Sequence, residues 1–99
     1  MQVYVIDGKK PWPKFPMQNI MATSGAREKL TSKEITGALG RHTRGDWGDV
    51  CPEDWARNES ALLSGDRLFS VYHTEAGVKF WIITEADRSV TTVLLPDEY

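Results

Sequence analysis

The chain has 99 residues, 40% of them apolar and 26% charged, with a net charge of −2. That length and composition suit one globular domain and exclude both a disordered chain and a membrane-spanning helix, since no apolar run approaches the ~20 residues a span requires. The acidic balance gives no global field toward nucleic acid or anionic lipid, and the single cysteine, Cys51, excludes an internal disulfide. The N-terminal segment places its lysines after its apolar stretch, the reverse of an export signal, so a reducing cytoplasmic setting is expected.

Residues 2–7 (QVYVID) are β-branched and aromatic and end at Asp7-Gly8, which predicts a short strand. Pro11, Pro13 and Pro16 follow within six positions and exclude helix and central strand, because each lacks an N–H and fixes φ. Residues 1–17 therefore read as a strand and a proline-rich arm carrying Trp12 and Phe15, and residues 18–99 as one α+β domain. Asn19 to Ser24 has no decisive pattern, and a helical turn can follow from Ala26 to Leu30.

Thr31 and Glu34 have capping-box spacing. Behind them Ile35, Ala38, Leu39 and His42 recur at i, i+3, i+4 and i+7, which predicts a helix with one buried face. Gly37 and Gly40 weaken it by roughly 1 kcal/mol each. GDWGD at 45–49 reads as a loop. A second helix is predicted from Pro52, with Glu53 and Asp54 at its positive end, Gly65 as its C-terminal cap, and Trp55, Leu62 and Leu63 as its buried stripe.

From Arg67 the pattern changes to period two. RLFSVYHT (67–74), VKFWIIT (78–84) and VTTVLL (90–95) read as three strands joined by short loops, an antiparallel meander to which residues 2–7 could add a fourth strand. Two short helices on a three- or four-stranded antiparallel sheet make the class α+β. Both faces of such strands carry large apolar groups, so one face needs the arm or a second chain to cover it.

The densest polar run is RHTRGDWGD (41–49). Its chemistry can be read in two ways. His42 can serve as acid or base with Arg41 and Arg44 as anion ligands, or it can be a hydrogen-bonded core histidine with Trp47 as a loop anchor. No zinc or calcium spacing, nucleophile elbow, phosphate loop or cofactor motif is present, so no metal and no cofactor are expected.

Four stretches carry a resemblance: MQNIMATSGA, RHTRGDWGD, Glu53-Asp54 with Asn58, and KFWIITEADRSVTTVLLPDEY. Together, over residues 18–99, they resemble a family of short bacterial proteins of plasmids and other mobile DNA. The family brings no assigned chemistry. Some members carry the label of a restriction-modification subunit, but this chain lacks the length and the N/D-P-P-Y/F motif that amino methylation needs.

A helix with an Arg-His pair before a small sheet is also distantly similar to barnase- and RelE-like ribonucleases. By role, that likeness implies His42 as acid or base, Arg41, Arg67 and Arg88 as phosphate ligands, and Tyr72, Thr84 or Thr92 as polar sheet residues. The net negative charge departs from the basic character of those enzymes. The reading favoured by the residues is a non-catalytic accessory protein that binds another protein or itself, with Trp12, Phe15, Arg41, Arg44, Trp47, Trp81 and Arg88 as contact candidates. Small metal-independent ribonuclease and DNA-binding factor are the alternatives.

Overall fold

The computed structural model describes residues 13–99; the predicted strand at 2–7 and Trp12 lie outside the described residues. The chain is α+β: strand β1 (Asn19–Ala22), helices α1 (Ser24–Lys29), α2 (Ser32–Thr43) and α3 (Pro52–Ser64), then strands β2 (Leu68–His73), β3 (Lys79–Thr84) and β4 (Val90–Leu94). A 3-10 turn at Pro96–Glu98 follows. None of the described helices is long and apolar enough to cross a membrane.

Capping chemistry sets the helix limits. Thr31 accepts from the Glu34 N–H while the Glu34 carboxylate accepts from the Thr31 N–H, so both orphan donors are satisfied. Thr23 caps α1 in the simpler way, through Ala26 N–H. Helix α3 opens with Pro52 and ends at Gly65, whose φ of 84° is the left-handed cap conformation.

The sheet has four strands in the order β1-β4-β3-β2. Strands β2, β3 and β4 form the expected antiparallel meander, but the sheet is not purely antiparallel: β1 pairs parallel to β4, Asn19 beside Val90 and Ala22 beside Val93. Four residues of mixed polarity at a sheet edge leave little periodicity, which is why NIMA has no strand signature. Three helices, not two, accompany the sheet. Helix α1 occupies the segment in which a single helical turn is expected.

Strand alternation sorts the side chains into two sets. Tyr72, Phe80, Ile82 and Val93 pack with Ala26, Leu30 and Ala38 in one core cluster, and Leu68 packs with Phe15, Trp47 and Ala61 in a second. Phe69, Trp81, Ile83 and Thr92 point to the other side, outside both core clusters, with α3 bordering it at Phe69 and the Pro96–Glu98 turn against β3. The arm does not reach that side at Phe15. Lys14 N–H donates to the Thr43 carbonyl and Phe15 is buried, edge-on to His42 and stacked on Trp47, so the described part of the arm thickens the helical layer. The stripe expected for α3 holds at Leu62, partly buried against the second cluster, and is corrected elsewhere. Leu63 is 92% exposed and Trp55 is exposed, whereas Asn58 and Ala61 are buried. The helix lies against the β2 edge, where a short amide fits better than an indole.

Candidate functional site

Arg41 and His42 sit side by side in the last turn of α2, so the helix sends them in different directions. His42 is fully buried. Its Nδ1 lies 2.6 Å from Ser70 Oγ and its Nε2 2.9 Å from Thr84 Oγ1, which lies 2.8 Å from Thr91 Oγ1. A neutral imidazole meets both hydroxyls, donating from one nitrogen and accepting at the other. Burial, with a smaller contribution from the Arg88 charge, pushes its pKa down to about 3. At neutral pH this ring is an uncharged link between β2, β3 and β4.

Arg41 leaves the helix toward solvent and is fastened there. Its Nε donates to Asp46 at 2.8 Å and its guanidinium lies 4.6 Å from the centre of the Tyr72 ring. The same bond to Arg41 holds the Asp46 carboxyl below its usual range. Tyr72 donates to the Asp46 carbonyl, and burial pushes the phenol up to about 12. Arg44 is exposed at the end of α2.

The GDWGD loop then seals the sheet. Val71 N–H donates to the Trp47 carbonyl and Asp49 N–H to the Val71 carbonyl, a single parallel bridge at Gly48. Gly48 has φ of 77°, and a Cβ there would overlap the Val71 carbonyl oxygen, so this close approach needs glycine. Trp47 is fully buried and donates to Glu59 at 2.8 Å. Asn58 closes the next stretch of the same edge, its amide donating to the Phe69 carbonyl at 2.7 Å and accepting from the Phe69 N–H at 3.0 Å.

Arg88 is occupied in a similar way. It adopts a left-handed φ of 65° in the β3–β4 loop, and its guanidinium donates to the carbonyls of Asp66, Glu85, Ala86 and Ala61. Arg67 lies on the opposite side of the sheet, donating to the Tyr99 hydroxyl at 2.8 Å and to Glu85. Thr92 is also on that side, beside Ile83. The structure thus joins His42 with Thr84, and Arg41 with Tyr72. It does not bring His42, Arg67 and Thr92 to one place.

Of the open depressions among the described residues, one of about 350 Å³ lies between α3 and Arg67–Phe69, and two others bear on function. A cleft of about 450 Å³ between α2 and the β2–β3 hairpin is lined by Lys33, Arg41, Tyr72, His73 and Phe80 among others. His73 and Asp49 stand at this end of β2, Nδ1 2.7 Å from the carboxylate, both exposed. Sequence reading missed this pair because 24 residues separate its members and only the Gly48–Val71 bridge aligns them. Among the described residues no three His, Cys, Asp or Glu side chains cluster as metal ligands would.

The second depression, about 250 Å³, lies on the side of the sheet away from the core clusters, between Arg67, Phe69, Trp81, Ile83 and Tyr99. Trp81 meets Phe69 edge-on at 5.1 Å and Tyr99 at 5.7 Å. Its Nε1 is buried and has no hydrogen-bond partner among the described residues, an arrangement that costs free energy when nothing accepts the proton. Comparison with protein-family models, with curated proteins and with solved structures finds no match to this chain.

Proposed function

We propose that the protein is a non-catalytic binding module whose contact surface is the side of the sheet away from the core clusters. The observation that carries this reading is the aromatic groove at Trp81. Trp, Tyr and Arg are the residues that most often anchor protein interfaces, and Trp81, Tyr99 and Arg67 meet here around a depression. The Trp81 N–H is buried beneath the groove, so the Arg67 guanidinium is the donor at its surface. The complementary partner is a protein segment that brings an apolar side chain with a backbone carbonyl or carboxylate beside it. The resemblance to proteins of mobile DNA supports an accessory role in a plasmid-bearing bacterium.

The test is capture of partners from such a host with the wild-type chain and with Arg67→Ala/Tyr99→Ala. A partner held by wild type and released at least tenfold faster by the double variant is the expected result. Capture that the double variant leaves unchanged would remove the groove from the reading.

A second reading keeps the metal-independent ribonuclease, favoured by the cleft beneath α2. Here His73 acts as acid or base with its tautomer set by Asp49, and Lys33 meets phosphate. His42 has no part in it, being shut off from solvent. Purified protein incubated with structured and unstructured RNA decides the matter: cleavage lost in His73→Ala but kept in Arg67→Ala supports it, and intact RNA with the wild type ends it. DNA binding has less support, since Asp46 neutralises Arg41.

A further inference from the structure

The two edges of the sheet are treated in opposite ways. Along β2, every outward stretch meets a partner: Asn58 pairs with the Phe69 backbone, the 47–49 segment pairs with Val71, and His73 carries Asp49. Along β1 nothing among the described residues does the same. Asn19 N–H donates to Ser89 and Thr23 N–H to Val93, so odd positions face β4 and the backbone groups of Ile20 and Ala22 point outward. Ile20 is 49% and Met21 58% exposed. Natural edges are usually blunted by charge, proline or a bulge. No charged residue occurs from Phe15 to Ala26, and no proline from Met17 onward within that stretch.

We infer that β1 pairs antiparallel with β1 of a second copy about a two-fold axis at Met21, joining two four-stranded sheets into one continuous sheet. A two-fold contact places equivalent residues against one another, so any charge near the axis would meet its like. Residues 19–22 carry no charge of their own, and the Glu98 carboxylate, held at Thr23 and Gly25, lies beyond the strand's end. The register follows from which groups face outward. In an antiparallel ladder, residues with both backbone groups turned to the neighbour exchange two hydrogen bonds. Ile20 therefore opposes Ala22 of the second copy, and Ala22 opposes its Ile20, with four bonds in all. A large exposed side chain meets a small one in both pairs. Met21 faces its equivalent in the wide, non-bonded position, on the side of the sheet where Trp81 also lies, and its unbranched thioether adapts to a like neighbour. So short a contact belongs to the weak class of interfaces, and the dimer forms in a concentration-dependent way. The inference is independent of the groove reading, because its test alters β1 and leaves Arg67 and Tyr99 in place.

Sedimentation of the full chain over a wide concentration range tests it. The wild type is expected to move from monomer to dimer mass, while Ile20→Lys and Met21→Lys stay monomeric at concentrations at least tenfold higher and keep the wild-type circular dichroism. A second measurement does not depend on those variants folding. In a Cys51→Ser background, Met21→Cys is expected to form a covalent dimer on mild oxidation, because non-bonded antiparallel partners stand about 4.5 Å apart at Cα, within disulfide range. Leu63→Cys, exposed on α3, serves as the control and stays monomeric. A wild type that remains monomeric throughout, a dimer indifferent to both lysine substitutions, or cross-linking at Leu63→Cys as fast as at Met21→Cys would overturn the inference.

Discussion

On the helical side of the sheet His42, Ser70, Thr84 and Thr91 form an unbroken run of hydrogen-bonding groups, and Trp47 gives its indole proton to Glu59. On the opposite side Trp81, a residue of the same kind, has an equally buried indole proton and no acceptor among the described residues. The contrast separates two uses of polar residues in one small protein. Where every donor has an acceptor, the group specifies the fold. A buried donor with no acceptor among the described residues specifies no pairing and costs free energy instead.

Truncation should make the difference visible. Trp47→Ala removes a fully buried ring and its bond to Glu59, and the expected loss of stability is about 3–5 kcal/mol in chemical denaturation. The paired substitution to phenylalanine sharpens the point. Trp47→Phe should still cost about 2 kcal/mol, through lost ring volume and the lost hydrogen bond to Glu59, whose exposed carboxylate turns to water.

Acidification acts on the same side. The folded-state pKa of His42 lies below its unfolded value, so the unfolded chain takes up a proton that the folded chain refuses. The stability tied to this group is complete above the unfolded pKa of about 6.5 and is lost as pH falls toward the folded value of about 3. Each pH unit in that window should cost about 1.4 kcal/mol. Urea melts between pH 6.5 and 5, above most carboxylate titration, should show that slope in the wild type and a flatter one in His42→Gln. Equal slopes would mean that the ring is not held neutral.

Next in size is Asn58→Leu, which leaves the Phe69 N–H and carbonyl unpaired at the β2 edge. The expected loss is roughly 1–3 kcal/mol, and hydrogen exchange at Phe69 should quicken in step. The smallest effect belongs to Trp81→Phe. It removes the unanswered donor along with some ring area, and its cost should stay below about 1 kcal/mol. If thermal melts place it level with Trp47→Phe, the two sides do not differ in the way described.

Local chemistry made much of the fold readable. The Thr31–Glu34 box, Pro52 and Gly65 each satisfy orphan backbone groups within a few residues, and they mark α2 and α3 closely. The three later strands were legible for a similar reason, since alternation and short loops are local. His42 also kept its place on the Ile35–Leu39 face, as one of its two readings had it. The rest depended on partners distant in sequence. Nothing within NIMA indicates that it will lie beside Val90–Val93, and Asn58 gives no sign of its bond to Phe69. Leu63, read as buried by residue type, is exposed because α3 presents only a narrow strip to the β2 edge. At the candidate sites, the aromatic surplus on the sheet was visible in the sequence. The pairing of His73 with Asp49 was not, because it follows from the loop bridge.

The parallel pairing of β1 has a kinetic side. Asn19 hydrogen-bonds to Ser89, 70 residues away, whereas β2, β3 and β4 are linked through short loops. Contacts between distant parts of a chain carry a larger closure entropy and slow the search for the native arrangement. The meander can assemble first, leaving β4 with a raw edge until β1 arrives. In that interval the vacant edge accepts any extended segment of suitable pattern, including β1 of a neighbouring molecule. Refolding at high concentration should therefore trap interlocked chains that dilute refolding avoids.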